Sequence, residues 1–181
     1  MTAAAATTTT DQKQSSDLER RDFVETLDKH RKLLVRTVRG LSEEQIRLHP
    51  TASALCLGGV IKHVTLAEQN WSRFITQGAP AMGGGAATRV TRHADTFELA
   101  EGDSVETLLQ GYDDTARSTD ELIMTVPSLD VAHPLPDAPW FEQGASWSAR
   151  RVLLHVIAET AQHAGHADII RETIDGKKTM G

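Results

Sequence analysis

The run from Leu153 to Arg171, LLHVIAETAQHAGHADIIR, restricts the fold of this chain more than any other stretch. A helix advances about 100° per residue, so with His155 at zero, Glu159 falls near ~40°, His163 near ~80° and His166 near ~20°. Val152, Val156, Ile170 and Ile174 lie on the same stripe. The face that carries the imidazoles and the carboxylate is therefore also the face that must be buried against other helices. A chain with such a segment needs partner helices, and those partners must tolerate polar groups in the packing.

Three further segments supply them. Leu18, Phe23, Val24, Leu27, Leu33, Leu34 and Val38 follow one helical face that begins at Asp17, with Gly40 as a stop. Ser42 and Gln45 form a capping-box pair that opens a short turn, Glu43 to Leu48, before His49-Pro50. A second helix is expected from about Leu57 to Thr76, burying Val60, Val64, Ala67, Trp71 and Phe74, with His63 in the same arc. Gly58 and Gly59 cost its first turn about 1 kcal/mol each, which points to close approach of a neighbouring chain or a ligand. Asp103 with Glu106 reads as the cap of a third helix that Pro127 ends. Ser146 or Ser148 caps the fourth, which stops near Asp175-Gly176.

Between these lie two long connections. Gln77 to Gly102 contains AMGGGAAT and reads as either a cover over a cavity mouth or a mobile loop. Ser128 to Ser146 reads as an irregular crossing anchored by Trp140 and Phe141. Residues 1–16 are small and polar without apolar period, so a disordered tail is expected there, followed by one domain over 17–181. The expected fold is all-α, a four-helix bundle with long connections.

Composition narrows the function. With 25 acidic against 19 basic residues and a net charge of −6, no phosphate-backbone partner is expected, hence no nucleic acid. No apolar run approaches a membrane span and the start lacks a signal-peptide pattern, so a cytoplasmic protein without membrane attachment is expected. Cys56 is the only cysteine, which excludes an internal disulfide and a cysteine metal cluster. Its setting, ALCLGG, fits a buried thiol better than a nucleophile.

His30, His49, His93 and His133 follow no pattern. The other four histidines do. HxxxE, ExxxH and HxxH in the last helix each place two side chains on neighbouring turns of one face, as two ligands of one ion require, and His63 on a facing helix could supply a third. Two neutral imidazoles and a carboxylate leave a divalent ion Lewis acidic with an open position. The competing explanation is a buried network of Glu159 and histidines that satisfy one another, with Arg150, Arg151 or Arg171 joining it.

LGGVIKHVTLAEQNW around His63, TFELAEGDSVETLL, and LLHVIAETAQHAGHADIIRETIDG, with its HxGHxDIIRExIDG pattern, resemble the DinB/YfiT superfamily from about Leu18 to Gly176. The closer likeness is to its small single-domain branch, related to mycothiol-dependent enzymes of the maleylpyruvate isomerase type. The resemblance implies a divalent metal held by His63, Glu159 and His163. It also implies His166 as an extra ligand or the group that handles protons, and His155 as an outer support. Many members have histidine where this chain has Glu159, which leaves the metal open among zinc, the first expectation, and nickel, iron or manganese. The implied activity is metal-dependent thiol S-transfer, or thiol-assisted isomerisation, with mycothiol as co-substrate for attack on a small electrophile. A homodimer fits a bundle of this kind. The rival readings are a metal-dependent hydrolase and a non-catalytic metal- or small-molecule-binding stress protein.

Overall fold

The structure, a computed structural model, describes residues 2–83 and 95–179, with side chains from residue 14 onward. Among the described residues four long helices carry the fold: α1 (Thr2–Arg36), α2 (Leu57–Gln77), α3 (Val105–Thr125) and α4 (Ala149–Asp175). Short 3-10 turns at Gln45–Arg47 and Ala79–Met82 punctuate the connections. The expected all-α bundle is what forms. None of its helices is long and apolar enough to cross a membrane.

Most of the ends follow the sequence signals. Ser42 and Gln45 exchange hydrogen bonds as a capping box, at 3.0 and 3.2 Å. The Ser148 hydroxyl accepts from the Arg151 amide, and Gly176 ends α4 in the left-handed region, where glycine lacks the Cβ that would clash. Three expectations need correction. Ser104, paired with Thr107, caps α3 in place of Asp103, whose carboxylate takes Lys62 at 2.9 Å and the Ala100 amide instead. The backbone of residues 2–16, expected to be an irregular tail, continues α1. Extending an existing helix avoids the nucleation cost, and Ala3 to Ala6 are the best helix formers. The crossing after α3 is not wholly irregular either: Ala132–Pro134 (β1) pairs antiparallel with Ser146–Ser148 (β2), His133 opposite Trp147.

Contacts at the helix ends fix the topology. Arg150 on α4 binds Glu19, and Arg20 reaches the carbonyls of Ile123 and Val126, so the middle of α1 and the start of α4 lie at the end of the bundle where α3 finishes. At the other end Arg171 donates to the carbonyls of Thr37 and Arg39, both at 2.9 Å, and Glu43 accepts from the Val105 amide. The helices thus run up, down, down, up. The α2–α3 connection has to return along the whole bundle, and this return brings residues 95–99 beside the first half of α2.

Two apolar clusters fill the interior. One joins Phe23, Leu27, Trp71, Phe74, Ile123, Val152 and Val156; the other joins Leu34, Val38, Val60, Val64, Tyr112, Ala167 and Ile170. Between them every helix contributes polar groups. Arg31 and Glu68, both almost fully buried, form an ion pair that Asp120 extends at 2.8 Å from Arg31. Gln69 donates to Thr115 at 2.8 Å, Ser72 lies 3.0 Å from Thr119, and Thr160 donates to the Val156 carbonyl. Burial alone would lower the Arg31 pKa, but the hydrogen bonds and charges of Glu68 and Asp120 outweigh it and hold the guanidinium charged.

Candidate metal centre

α2 and α4 run antiparallel, and the His63 ring comes within 4.8 Å of the His163 ring in the middle of the α4 stripe. His63, Glu159 and His163 offer ligand atoms that all lie within 4.8 Å of one another. His163 Nε2 stands 3.4 Å from Glu159 Oε2. Two ligands each about 2.1 Å from a tetrahedral ion are ~3.4 Å apart, so the His163–Glu159 pair already has the spacing. The donor set, two imidazole nitrogens and one carboxylate oxygen, suits zinc and its neighbours. His163 is 9% exposed, and its Nδ1, the ring nitrogen not paired with Glu159, has no hydrogen-bond partner among the described residues. The residues therefore fit a divalent ion.

Their surroundings fix them. The Thr96 hydroxyl lies 2.7 Å from His63 Nδ1, which leaves ligation to Nε2, the arrangement usual for a metal-binding histidine. Phe97 stacks on the His63 ring at 3.9 Å and 10°. The backbone reaches this position because α2 begins with glycine: a Cβ on Gly59 would stand 2.1 Å from the Phe97 carbonyl oxygen. The close approach expected at Gly58 and Gly59 is thus made by the chain's own 97–99 segment. Cys56 is buried and caps α2, its sulfur accepting from the Gly59 amide at 3.3 Å, which agrees with a structural thiol.

The hydrogen bond from His163 draws the Glu159 carboxyl below its ordinary pKa; burial opposes this and the neighbouring imidazoles assist it. His155 Nε2 lies 3.7 Å from Glu159 Oε1, and the ring sits edge-on to Trp71 and Trp147. Burial pushes its pKa down against the pull of Glu159, so the ring is neutral near pH 7. His155, expected as an outer support, thus stands beside Glu159 and outside the group of three ligand atoms.

A cleft of about 760 Å³ opens over the site, with His63, Glu159 and His155 in its floor and Asn70, Trp71 and Arg73 along α2. Ala81, Met82, Gly83, Asp95 and Thr96 also line it, so the described ends of the glycine-rich connection do border the cleft. Residues 84–94, with His93, lie outside the described residues. His166 was expected to handle protons, yet it lines neither the cleft nor the gap between α2 and α4. It meets His163 edge-on at 5.4 Å. Arg150 and Arg171 bind elsewhere and do not join the cluster. Trp140, expected as an anchor, is 51% exposed and lines the cleft instead. Sequence reasoning gave Thr96 and Phe97 no part in the site, although they open the TFELAEGDSVETLL stretch that carries the family resemblance and the glycine pair admits them.

Comparison with known proteins agrees with this architecture. A conserved protein from Enterococcus faecalis, known from its crystal structure, superposes with a TM-score of 0.56 at 13% identity, covering 87% of this chain and 97% of that one, a likeness of fold alone. No curated protein matches the sequence. A family model described as Mycothiol-S-transferase matches residues 22–176, a span that contains His63, Glu159, His163, the latter part of α1 and the whole of α2, α3 and α4. The chain therefore belongs to the mycothiol-S-transferase family, a group of mycothiol-related transferases with the DinB-like fold that its histidine motifs resemble.

Proposed function

We propose that the protein is a metal-dependent thiol S-transferase that joins mycothiol to a small electrophile, with His63, Glu159 and His163 as the metal ligands and zinc as the first choice of ion. The observation that carries this reading is the convergence of three donor atoms from two helices, within 4.8 Å of one another, at the floor of a cleft large enough for two small substrates. A divalent ion held there keeps a net positive charge and favours the thiolate, the nucleophilic form of the cofactor sulfur, near neutral pH.

The chain's own residues supply the rest. His63, clamped by Thr96 and Phe97, and the Glu159–His163 pair hold their donor atoms ready before substrate arrives, so little ordering is left for the reaction itself. His155, neutral and bordering the cleft, accepts the thiol proton at Nε2, the part first assigned to His166. Sulfur then forms a bond to the electrophilic carbon, and the leaving group departs with the bonding electron pair. Trp71 and Phe97 limit access of competing water to the floor.

The test compares wild type with His63→Ala and His163→Ala by elemental analysis and by mycothiol conjugation to a fluorogenic alkyl bromide. Wild type is expected to hold about one ion per chain, and each variant to lose it with more than ~100-fold of the conjugation rate, since outer partners of metal ligands alone are worth up to that much. Full conjugation by a metal-free His163→Ala would refute the reading. Product formed without any thiol would point to a hydrolase.

A further inference from the structure

We propose that Trp71, Phe141 and Trp140 form the electrophile subsite and that it takes flat, apolar electrophiles of the aryl type. The inference rests on the S-transferase reading and adds the substrate class.

The chain is poor in aromatic residues, at 4%, yet all three tryptophans gather at this one place. Trp71 stacks on Trp147 at 5.0 Å and 17°, and Trp147 is covered on its ring by the Arg151 guanidinium at 4.4 Å. Trp71 also meets Phe74 and His155 edge-on, at 5.5 and 4.9 Å. With these neighbours its indole cannot swing, and, 7% exposed, it gives the cleft a fixed apolar edge. Phe141 continues the wall edge-on to Trp71 at 6.1 Å, and Trp140 continues it again, edge-on to Phe141 at 6.1 Å.

The loop bearing Trp140 and Phe141 is itself held. The β1–β2 ladder closes its base, Leu135 donates to the Ala145 carbonyl at 2.8 Å, and Phe141 donates to the Ala138 carbonyl at 3.1 Å. A tryptophan fixed at 51% exposure on a backbone-bonded loop contributes little to a core. Its position in the lining, with Leu66, Met82 and Pro136, makes it contact surface for a ligand.

The wall leads directly to the reacting centre. Trp71 touches His155, and His155 lies 3.7 Å from Glu159, so a ring seated on Trp71 has its substituent carbon beside the ligand cluster. The polar residues of the lining, Asn70, Arg73 and Asp95, suit the hydrophilic thiol, which separates the two substrates. For an aryl halide the carbon–sulfur bond forms, the carbon–halogen bond breaks with halide taking the electron pair, and the thiol proton goes to His155.

Trp140→Ala and Trp140→Phe test this in the zinc-loaded protein, with a dinitroaryl chloride and iodoacetamide as alternative electrophiles. The ratio of kcat/KM for aryl over aliphatic electrophile should fall about 5- to 10-fold in Trp140→Ala, through KM, and recover in Trp140→Phe. The KM for thiol serves as a control for general damage. Quenching of tryptophan fluorescence by unreactive dinitrobenzene should show binding weakened by a similar factor. An unchanged ratio with unchanged quenching overturns the subsite while leaving the S-transferase reading intact. Aryl binding that weakens in Trp140→Ala, in a protein that conjugates neither electrophile, supports the subsite and overturns the S-transferase reading.

Discussion

Replacing Gly59 with alanine puts a Cβ 2.1 Å from the Phe97 carbonyl oxygen and 3.1 Å from its carbonyl carbon. Side-chain carbons essentially never approach closer than 3.0 Å, so the Phe97 backbone has to retreat by about 0.9 Å. Backbone has no alternative rotamer to adopt, and the retreat acts on two contacts of a metal ligand at once. The 2.7 Å bond between Thr96 and His63 would stretch to as much as ~3.6 Å, past hydrogen-bonding range, and the Phe97 stack would part. Overpacking costs about 1–3 kcal/mol, while alanine returns about 1 kcal/mol of helix propensity, so the net loss of stability is expected to lie near 0–2 kcal/mol. Zinc affinity should suffer more, by about 10- to 100-fold, as when an outer partner of a ligating histidine is removed. Thermal melts of metal-free protein and competition against a chromophoric chelator separate the two effects. Gly58→Ala is the control: its Cβ meets the tip of Leu99 at 2.7 Å, a flexible side chain that can turn away, so affinity should stay at the wild-type value. Gly59→Ala with wild-type zinc affinity would refute the claim that the 96–97 segment holds His63 in place.

Two further outcomes can be checked on stability alone. Arg31→Met leaves Glu68 buried without its cation and should cost about 3–5 kcal/mol by denaturant unfolding, whereas adding Glu68→Leu should recover part of that loss; equal stability of wild type and Arg31→Met would contradict the buried pairing. In acid, the metal-free protein should weaken in two stages. Burial holds His155 below its ordinary value, so the unfolded chain binds that proton first and stability begins to decline below about pH 6.5. Hydrogen bonds from Arg150, Lys62 and Arg171 hold Glu19, Asp103 and Asp175 low, so their contribution is complete only above about pH 5 and is lost as pH falls through the depressed values. A denaturation midpoint that rises as pH falls from about 7 to about 5 would contradict the first sign, and one that rises as pH falls from about 4 to about 2 would contradict the second.

Local signals carried much of this molecule. Ser42–Gln45, Ser148 and Gly176 mark helix ends because their hydrogen bonds are made within a few residues. The periodic faces of α2 and α4 placed His63 opposite Glu159 and His163, since two antiparallel helices that bury one stripe each have few other ways to meet. What escaped depends on long separations or on distance along an axis. Arg31, Glu68 and Asp120 come from three helices and share no spacing, and three-residue strands are too short to show a period. Angular arithmetic put His166 on the stripe of the site, where it meets His163 edge-on without lining the cleft. The shift of the α3 cap from Asp103 to Ser104 reflects a competing demand, the Lys62 partner that no local pattern reveals.

The polar groups sandwiched between the two apolar clusters also index the helices along the bundle. Sliding α1 by one turn, about 5.4 Å, would carry Arg31 away from Glu68 and Asp120 and into a layer of aliphatic side chains, stranding an ion on each side. Leucine and valine would tolerate such slippage with modest loss; charges held by directional bonds do not. A salt link remote from any substrate therefore acts as a notch that sets α2 against α1, Arg171 bonded to the carbonyls of Thr37 and Arg39 sets α4 against that same helix, and vertical alignment of the reactive groups is decided by residues that never touch them.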